Sequence, residues 1–546
     1  MNEVPIEPNL ETSRRAVEFG KIAFAVAEPL EPFYRELSGL LGVTLEGNLN
    51  NTPEGREKAG SSVYSVILAD GITLDCLKAL QGDPLILICG PVEGEVPGRR
   101  LETLSHNLGQ EGTRLLMEGR GFEEKDAEEP TLDLMLEEIR RVFRREVPNY
   151  WELPPVPWGH AYALVLTHNI DIMSLNELPF SRKFSDYFYR SSVLNWRRRR
   201  AGKISTPEFR QAVWEMGRTI LAGLGLGRDV WRRALPAMIQ MEEQLDVRSG
   251  LYFIPYPKYP GILPAHMGKD SDSAPPKRAA HYEVRKYREM ILSLEEKGWE
   301  AGLHGMDAWH DVEAARREYA KIAGLTGREE TGVRSHWLYF QPPESFKILE
   351  EGGFLYDATF GFTEIAGFRT GTLQPYHPLS CRTLWELPLH VQDGALLGEK
   401  HLNLNREEAL EKGNFILGWG KRYGGAVNLL WHNQSFAAPR FWGEVYEGLI
   451  KQAKADKAWI AVPRDVIRWF DLRRGCEVNF TCRGSTWQIT STLTDPEQSW
   501  GIPPLRIRLH IDPRCVRRAS VPYEAGDGYI DFPARELVTL EMEGEN

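Results

Sequence analysis

The run Ala163-Leu164-Val165-Leu166-Thr167-His168-Asn169-Ile170-Asp171 passes abruptly from apolar residues to groups that bind metals or carry protons. Short apolar runs read as buried strands of a parallel sheet, and α/β folds build their sites where such strands end. Asp171 is the carboxylate at that end. It is either a hard oxygen ligand for a metal shared with imidazoles or a residue capping the following loop. A second cluster lies in Gly302-Leu303-His304-Gly305-Met306-Asp307-Ala308-Trp309-His310. His304 follows an apparent strand, Asp307 stands where it can cap the next helix, and His310 falls in that helix's first turn. Two ligands on one helix want i, i+4 spacing, which here is Ala308. A pair joining a strand end to a helix start is not bound by that rule, so His310 stays a candidate beside the alternative of a hydrogen-bonded structural histidine.

Three further segments put polar groups after apolar runs: Gly332-Val333-Arg334-Ser335-His336-Trp337, Leu387-Pro388-Leu389-His390-Val391-Gln392-Asp393, and Leu429-Leu430-Trp431-His432-Asn433. The Arg334 guanidinium offers a fork of donors able to hold a carboxylate. An Asp beside a His orients and charges the imidazole, which makes it a general acid for a leaving amine or alkoxide. Each segment alone says little; their serial placement says more.

The elements that must carry these groups alternate. Strands are expected at 162–167, 251–254, 299–303 and 427–431. Helices are expected at 283–297, 312–323 and 344–351, the last stopped by Gly352-Gly353. This succession predicts a parallel (β/α) barrel over residues 151–475. Residues 1–150 form an α/β unit of their own, with strands at 63–68 and 85–89, a short helix at 73–80 between them and an amphipathic helix at 131–145. The proline-rich stretch 148–157 marks the boundary. After Gly475 the apolar period becomes two (Leu505, Ile507, Leu509, Ile511), which predicts an antiparallel β-sandwich over 476–546.

The bulk composition narrows the class of function. With 546 residues the chain is long enough for two to four domains, and 42% hydrophobic and 26% charged residues are ordinary for a globular protein. A net charge of −11 argues against a nucleic-acid binder and against an anionic membrane surface. Six scattered cysteines without a C-x-x-C pair fit free thiols in a reducing compartment. Neither a basic, apolar leader at the amino terminus nor a run near the roughly 18 apolar residues of a membrane span is present. The expectation is a cytoplasmic protein. Arg197-Arg198-Arg199-Arg200, with Trp196 and Lys203 close by, is either a solvated helix face or a contact for an acidic glycan, a lipid phosphate or nucleic acid.

Taken as an ordered set, these segments resemble the motifs of the polysaccharide deacetylase superfamily, the NodB homology domain. Thr167-His168-Asn169-Ile170-Asp171 resembles its first motif in the T-H-D-x-D variant, and Gly302–His310 its histidine motif. Arg334, Asp393 and the Leu-Leu-Trp-His432 strand are similar to the third, fourth and fifth motifs. The segments 354–362 and 367–372 also match. The resemblance spans about residues 155–475, and a front domain before such a barrel resembles the branch found with surface-polysaccharide genes. It implies a distorted (β/α)7-type barrel. It also implies a divalent metal, zinc first with cobalt, nickel or manganese as alternatives, held by Asp171, His304 and a further histidine such as His310 or His168. His432 would be the general acid, Arg334 would hold the base, and Asp393 falls near the fourth-motif aspartate. The substrate implied is an N- or O-acetylated sugar or polysaccharide precursor.

Two positions depart from the family pattern. The base position is Asn169, whose carboxamide can orient water but takes up no proton near neutral pH. Loss of a general base commonly costs about 10²- to 10⁴-fold in rate. The histidine expected four residues after His304 is Ala308. A non-catalytic glycan-binding or scaffolding protein on the same barrel is therefore the alternative to a hydrolase.

Overall fold

The computed structural model describes residues 19–49, 63–78, 80–175, 182–223, 226–264, 273–493 and 501–543; the amino-terminal residues read for a leader lie outside the described residues. The first unit is a parallel sheet of β1 (Ile22–Val26), β2 (Leu45–Asn48), β3 (Val66–Asp70), β4 (Leu85–Ile88) and β5 (Arg100–Thr103), in the order β2-β1-β3-β4-β5. Its inner strands read as unbroken apolar runs because both faces are covered. Helices Glu31–Leu41, Leu108–Met117 and Thr131–Glu146 pack on one face, while Leu74, Leu77 and Leu80 pack against Ala23, Ile67 and Ile86 on the other. The short helix expected at 73–80 is a single 3-10 turn, Leu74–Leu77.

The central unit is built on β7 (Ala163–Ile170), β8 (Gly250–Phe253), β9 (Glu300–Gly305), β10 (Gly332–Ser335), β11 (Tyr356–Asp357), β12 (Trp385–Glu386), β13 (Val391–Gln392), β14 (Ala426–His432) and β15 (Trp459–Ala461). They are ordered β12-β11-β10-β9-β8-β7-β14-β13, with β15 beside the start of β7, and every ladder is parallel. The sheet curls far enough for β7 and β10 to touch across its interior, where Arg334 Nη1 donates to Thr167 Oγ1 at 2.7 Å. Tyr252 and Tyr356 likewise meet hydroxyl to hydroxyl at 3.0 Å. Two glycines of the sequence motifs make room for these rings. A Cβ on Gly332 would lie 1.9 Å from the Tyr356 ring, and one on Gly302 would lie 2.7 Å from Tyr252. The result is the distorted parallel barrel expected from the sequence.

The carboxy-terminal module is two four-stranded antiparallel sheets. One joins β16 (Glu477–Arg483), β17 (Thr486–Thr492), β22 (Val538–Met542) and β19 (Val516–Ala519); the other joins β20 (Glu524–Gly526), β21 (Tyr529–Pro533), β18 (Arg506–Leu509) and β6 (Trp151–Glu152). Strand β6 comes from the proline-rich stretch between the first two units. The sandwich is thus discontinuous in sequence, and residues 151–152 belong with it by pairing. Among the described residues no helix is long and apolar enough to cross a membrane.

Candidate metal centre

All the candidate groups that converge do so at the carboxyl ends of the barrel strands. Side chains alternate along β7, so Thr167 and Asn169 face the interior and His168 faces outward. Asp171 follows the strand at its rim. From β9, the His304 ring brings Nε2 to 3.3 Å from Asp171 Oδ1, and the His336 ring, just past β10, brings Nδ1 to 3.6 Å from the same oxygen. These three residues offer ligand atoms that all lie within 4.8 Å of one another.

The two imidazoles are oriented by backbone carbonyls. His304 Nδ1–H donates to the Arg334 carbonyl at 2.8 Å, and His336 Nε2–H donates to the Arg278 carbonyl at 2.9 Å. Burial favours the neutral His304 ring and lowers its pKa, against the opposing pull of Asp171. The nitrogens left over, His304 Nε2 and His336 Nδ1, face each other at 2.9 Å. Nitrogens at that separation either share a proton as N–H···N or lie against a common cation. Asp171 Oδ1 accepts no hydrogen bond among the described residues. Two imidazoles with fixed tautomers and one carboxylate make a normal donor set for Zn²⁺ or a similar divalent ion, and the residues fit such an ion.

A proton-carrying pair flanks this set. His432, the last residue of β14, donates from Nδ1 to Asp393 Oδ1 at 2.8 Å, and its backbone N–H donates to Asp393 Oδ2 at 2.9 Å. Ser435 also donates to Asp393. His432 Nε2 is left facing Asp171 Oδ2 at 3.8 Å. Burial would lower the His432 pKa, but the charge and hydrogen bond of Asp393, with Asp171 beyond, raise it instead. Burial would raise Asp171; the rings of His336, His304 and His432 outweigh it and hold the carboxyl well below its usual range. The His304 and His336 side chains are 0% and 5% exposed, whereas Asp171 and His432 are 19% and 20% exposed. The floor is buried and the Asp171–His432 edge opens to solvent.

The remaining sequence candidates fall as follows. Asn169 is buried at the site with Oδ1 unpartnered among the described residues. Arg334 is fully buried, donates from Nε to the Ala358 carbonyl at 2.7 Å and lies over the Tyr252 ring; its Nη1 goes to Thr167, and no hydrogen bond joins it to Asn169 among the described residues. His310 is not in the cluster. Its ring sits 3.6 Å from Asp307 and against Trp309, in the turn that precedes the Asp311 cap of helix Val312–Thr326. His168 is not there either: facing outward, it contacts the Trp431 carbonyl, Glu242 and Tyr446. The third imidazole is His336. The sequence displayed it in the Arg334-Ser335-His336 segment, but its orientation depends on left-handed backbone at Trp337 (φ 61°) and Leu338 (φ 53°), which non-glycine residues do not advertise. Arg278 supports it from behind, with its guanidinium on the Met306 and His336 carbonyls at 3.0 and 2.9 Å.

No family model and no curated protein matches the chain. Solved structures do. A protein assigned as a polysaccharide deacetylase from Mycobacterium smegmatis matches over 58% of this chain and 94% of its own, at 18% identity and a TM-score of 0.35. One from Pseudomonas aeruginosa PAO1 matches over 57% and 91%, at 14% identity and a TM-score of 0.33. A CE4 family pseudoenzyme from Bacillus anthracis matches over 56% and 65%, at 10% identity and a TM-score of 0.25. These are distant likenesses, and what the site can do follows from its own donors.

Proposed function

We propose that the protein is a metal-dependent, deacetylase-like hydrolase that removes an acetyl group from an N- or O-acetylated sugar or polysaccharide precursor. The observation that carries this reading is the pair of carbonyl-fixed imidazoles whose remaining nitrogens meet beside Asp171, next to the hydrogen-bonded His432–Asp393 pair. Asp171, His304 and His336 would hold the ion. A bound divalent ion supplies Lewis acidity and a more acidic water molecule. His432, whose pKa Asp393 raises, donates from Nε2 to the leaving amine or alkoxide, and Asp393 fixes the ring and balances its charge. Asn169 orients a water through its carboxamide and takes up no proton; the proton that water loses passes to bulk solvent at the open Asp171–His432 edge.

Metal analysis of the purified protein tests the reading directly. About one equivalent of Zn, Co, Ni or Mn is expected on the native chain, and His304→Ala and His336→Ala are each expected to abolish it. A native chain that neither contains nor takes up any of these ions overturns the proposal.

The unpartnered amide oxygen at Asn169 favours a second reading, a catalytically impaired glycan-binding protein on the same barrel. Asn169→Asp separates the two. If the missing base is the only defect, deacetylation of an acetylated glycan rises by about 10²- to 10⁴-fold in the variant. Glycan binding with no acetate release from either form favours the binding protein.

A further inference from the structure

Between β7 and β8 the chain inserts a helical hairpin whose outer face is built the wrong way round for a water-soluble surface. Residues 182–233 hold 13 Lys and Arg against 4 Asp and Glu, in a chain whose net charge is −11. Helix Thr206–Gly223 buries Ala212, Glu215, Thr219 and Ala222. It turns Val213, Trp214, Ile220 and Leu221 outward, with Trp214 67% exposed. These positions follow i, i+1, i+7, i+8 spacing and so form one stripe. Leu226, just beyond the helix, is 66% exposed, and Trp196 on the preceding helix Asn195–Arg200 is also exposed. Arg197, Arg199, Arg200 and Arg210 are exposed around them, and none is in an ion pair among the described residues.

We propose that this hairpin docks the protein on an anionic lipid bilayer, its Trp, Ile and Leu side chains entering the boundary between headgroups and acyl chains while the arginines meet lipid phosphates. Amphipathic helices rich in Arg on one side and in Trp and Leu on the other lie in that plane. The charge excess selects the partner. A second copy would bring the same positive surface and repel it, whereas exposed aliphatic side chains gain nothing from stacking on nucleic-acid bases. The local field near the hairpin, not the distant acidic remainder of the chain, decides the encounter, because charges beyond about 8–10 Å are screened at physiological salt.

Its position gives the docking a consequence. Asn195 donates to the Pro439 carbonyl at 3.0 Å, Arg190 pairs with Glu399 at 2.7 Å, and Lys203 donates to the Asn403 carbonyl. Those partners belong to the segments that follow Asp393 and His432, so the hairpin is fixed to the rim where the site opens. Docking therefore brings that rim close to the headgroup layer, a placement that does not depend on which reaction the site performs.

Flotation of the full chain with vesicles tests the proposal, using phosphatidylcholine alone and phosphatidylcholine with about one-third phosphatidylglycerol. The native protein is expected to float with the anionic vesicles only, and to be released by high salt. The paired changes Trp214→Ser with Leu221→Ser, and Arg199→Glu with Arg200→Glu, are each expected to weaken binding on the order of tenfold or more, with elution volume and circular dichroism unchanged. Quenching by brominated phosphatidylglycerol gives a readout on a conservative variant: part of the quenching of native fluorescence is expected to disappear in Trp214→Phe. Absence of native binding to anionic vesicles overturns the proposal. So does binding indifferent to these substitutions, or a hairpin-dependent dimer that ignores vesicles.

Discussion

His432 and Asp171 share the open edge of the site, and their surroundings shift their pKa values in opposite directions. Asp393 raises the imidazole, and the ring cluster lowers the carboxyl. This division makes His432 the group able to give up a proton and Asp171 the one able to stay ionised against a cation. Asp393→Asn keeps the size of the side chain and removes the charge. Under the proposed function it is expected to lower kcat by about tenfold or more while metal content stays at the native level, measured by acetate release alongside metal analysis. Equal loss of metal and rate would instead mean that Asp393 shapes the ligand set. Five of the seven sequence candidates, Asn169, Asp171, His304, Asp393 and His432, stand at this site, His304 in its floor; Arg334 lies at Thr167, and His310 stands apart at Asp307. His310 drew attention as a histidine expected in the first turn of the helix after the His304 strand. The helix starts at Val312 after the Asp311 cap, which leaves His310 in the preceding turn beside Asp307 and Trp309.

At the level of elements, the apolar runs were legible and the turns that end them were not. β7 and β14 stand in the middle of the parallel sheet and are buried along nearly their full length, so composition alone marks them. The two-residue strand β6 was invisible in a proline-rich stretch, since its identity comes only from pairing with β18. His336 was legible as a residue but not as a member of the Asp171–His304 cluster, because what aims it is tertiary. Arg278 is the chief support: wholly buried, its pKa is pushed down to about 10 by burial, and it spans three carbonyls. Arg278→Met preserves much of the volume and removes that bracing. Metal affinity is expected to fall by about 10- to 100-fold, as for other residues that orient ligands, and this can be read by competition with a chelating dye. An unchanged affinity would show that the Arg278 backbone carbonyl alone suffices to set the ring.

At the scale of the whole molecule, the three units meet through buried charges as much as through apolar surface. On the helix Thr131–Glu146 of the first unit, Asp133 accepts from the Leu373 N–H at 2.7 Å and from Thr372 at 3.1 Å in the barrel. On the same helix, Arg140 donates to Glu152 at 2.8 Å, and Glu152 in turn contacts His510 of the sandwich at 3.1 Å. Burial would raise the Glu152 carboxyl, but Arg140, His510 and Arg508 bring it down to about 2 from an ordinary 4.5. A carboxyl lowered in the folded state stabilises it fully above its unfolded value, and this contribution is lost as pH falls from about 4.5 towards 2. The difference corresponds to about 3 kcal/mol across that window. Glu152→Gln leaves Arg140 buried without its counter-charge, so a loss of roughly 3–5 kcal/mol is expected at neutral pH. In a chain of several units unfolding need not be two-state, and the loss should fall on the transition that separates the first unit from the sandwich. Urea denaturation followed by limited proteolysis between residues 146 and 163 resolves that transition. At pH 7 the variant is expected to open there at lower urea than the native chain, and near pH 2 the two are expected to converge as the native Glu152 is itself protonated. A variant as resistant as the native protein at pH 7 would mean that apolar contacts, not this charge cluster, hold the first unit to the sandwich.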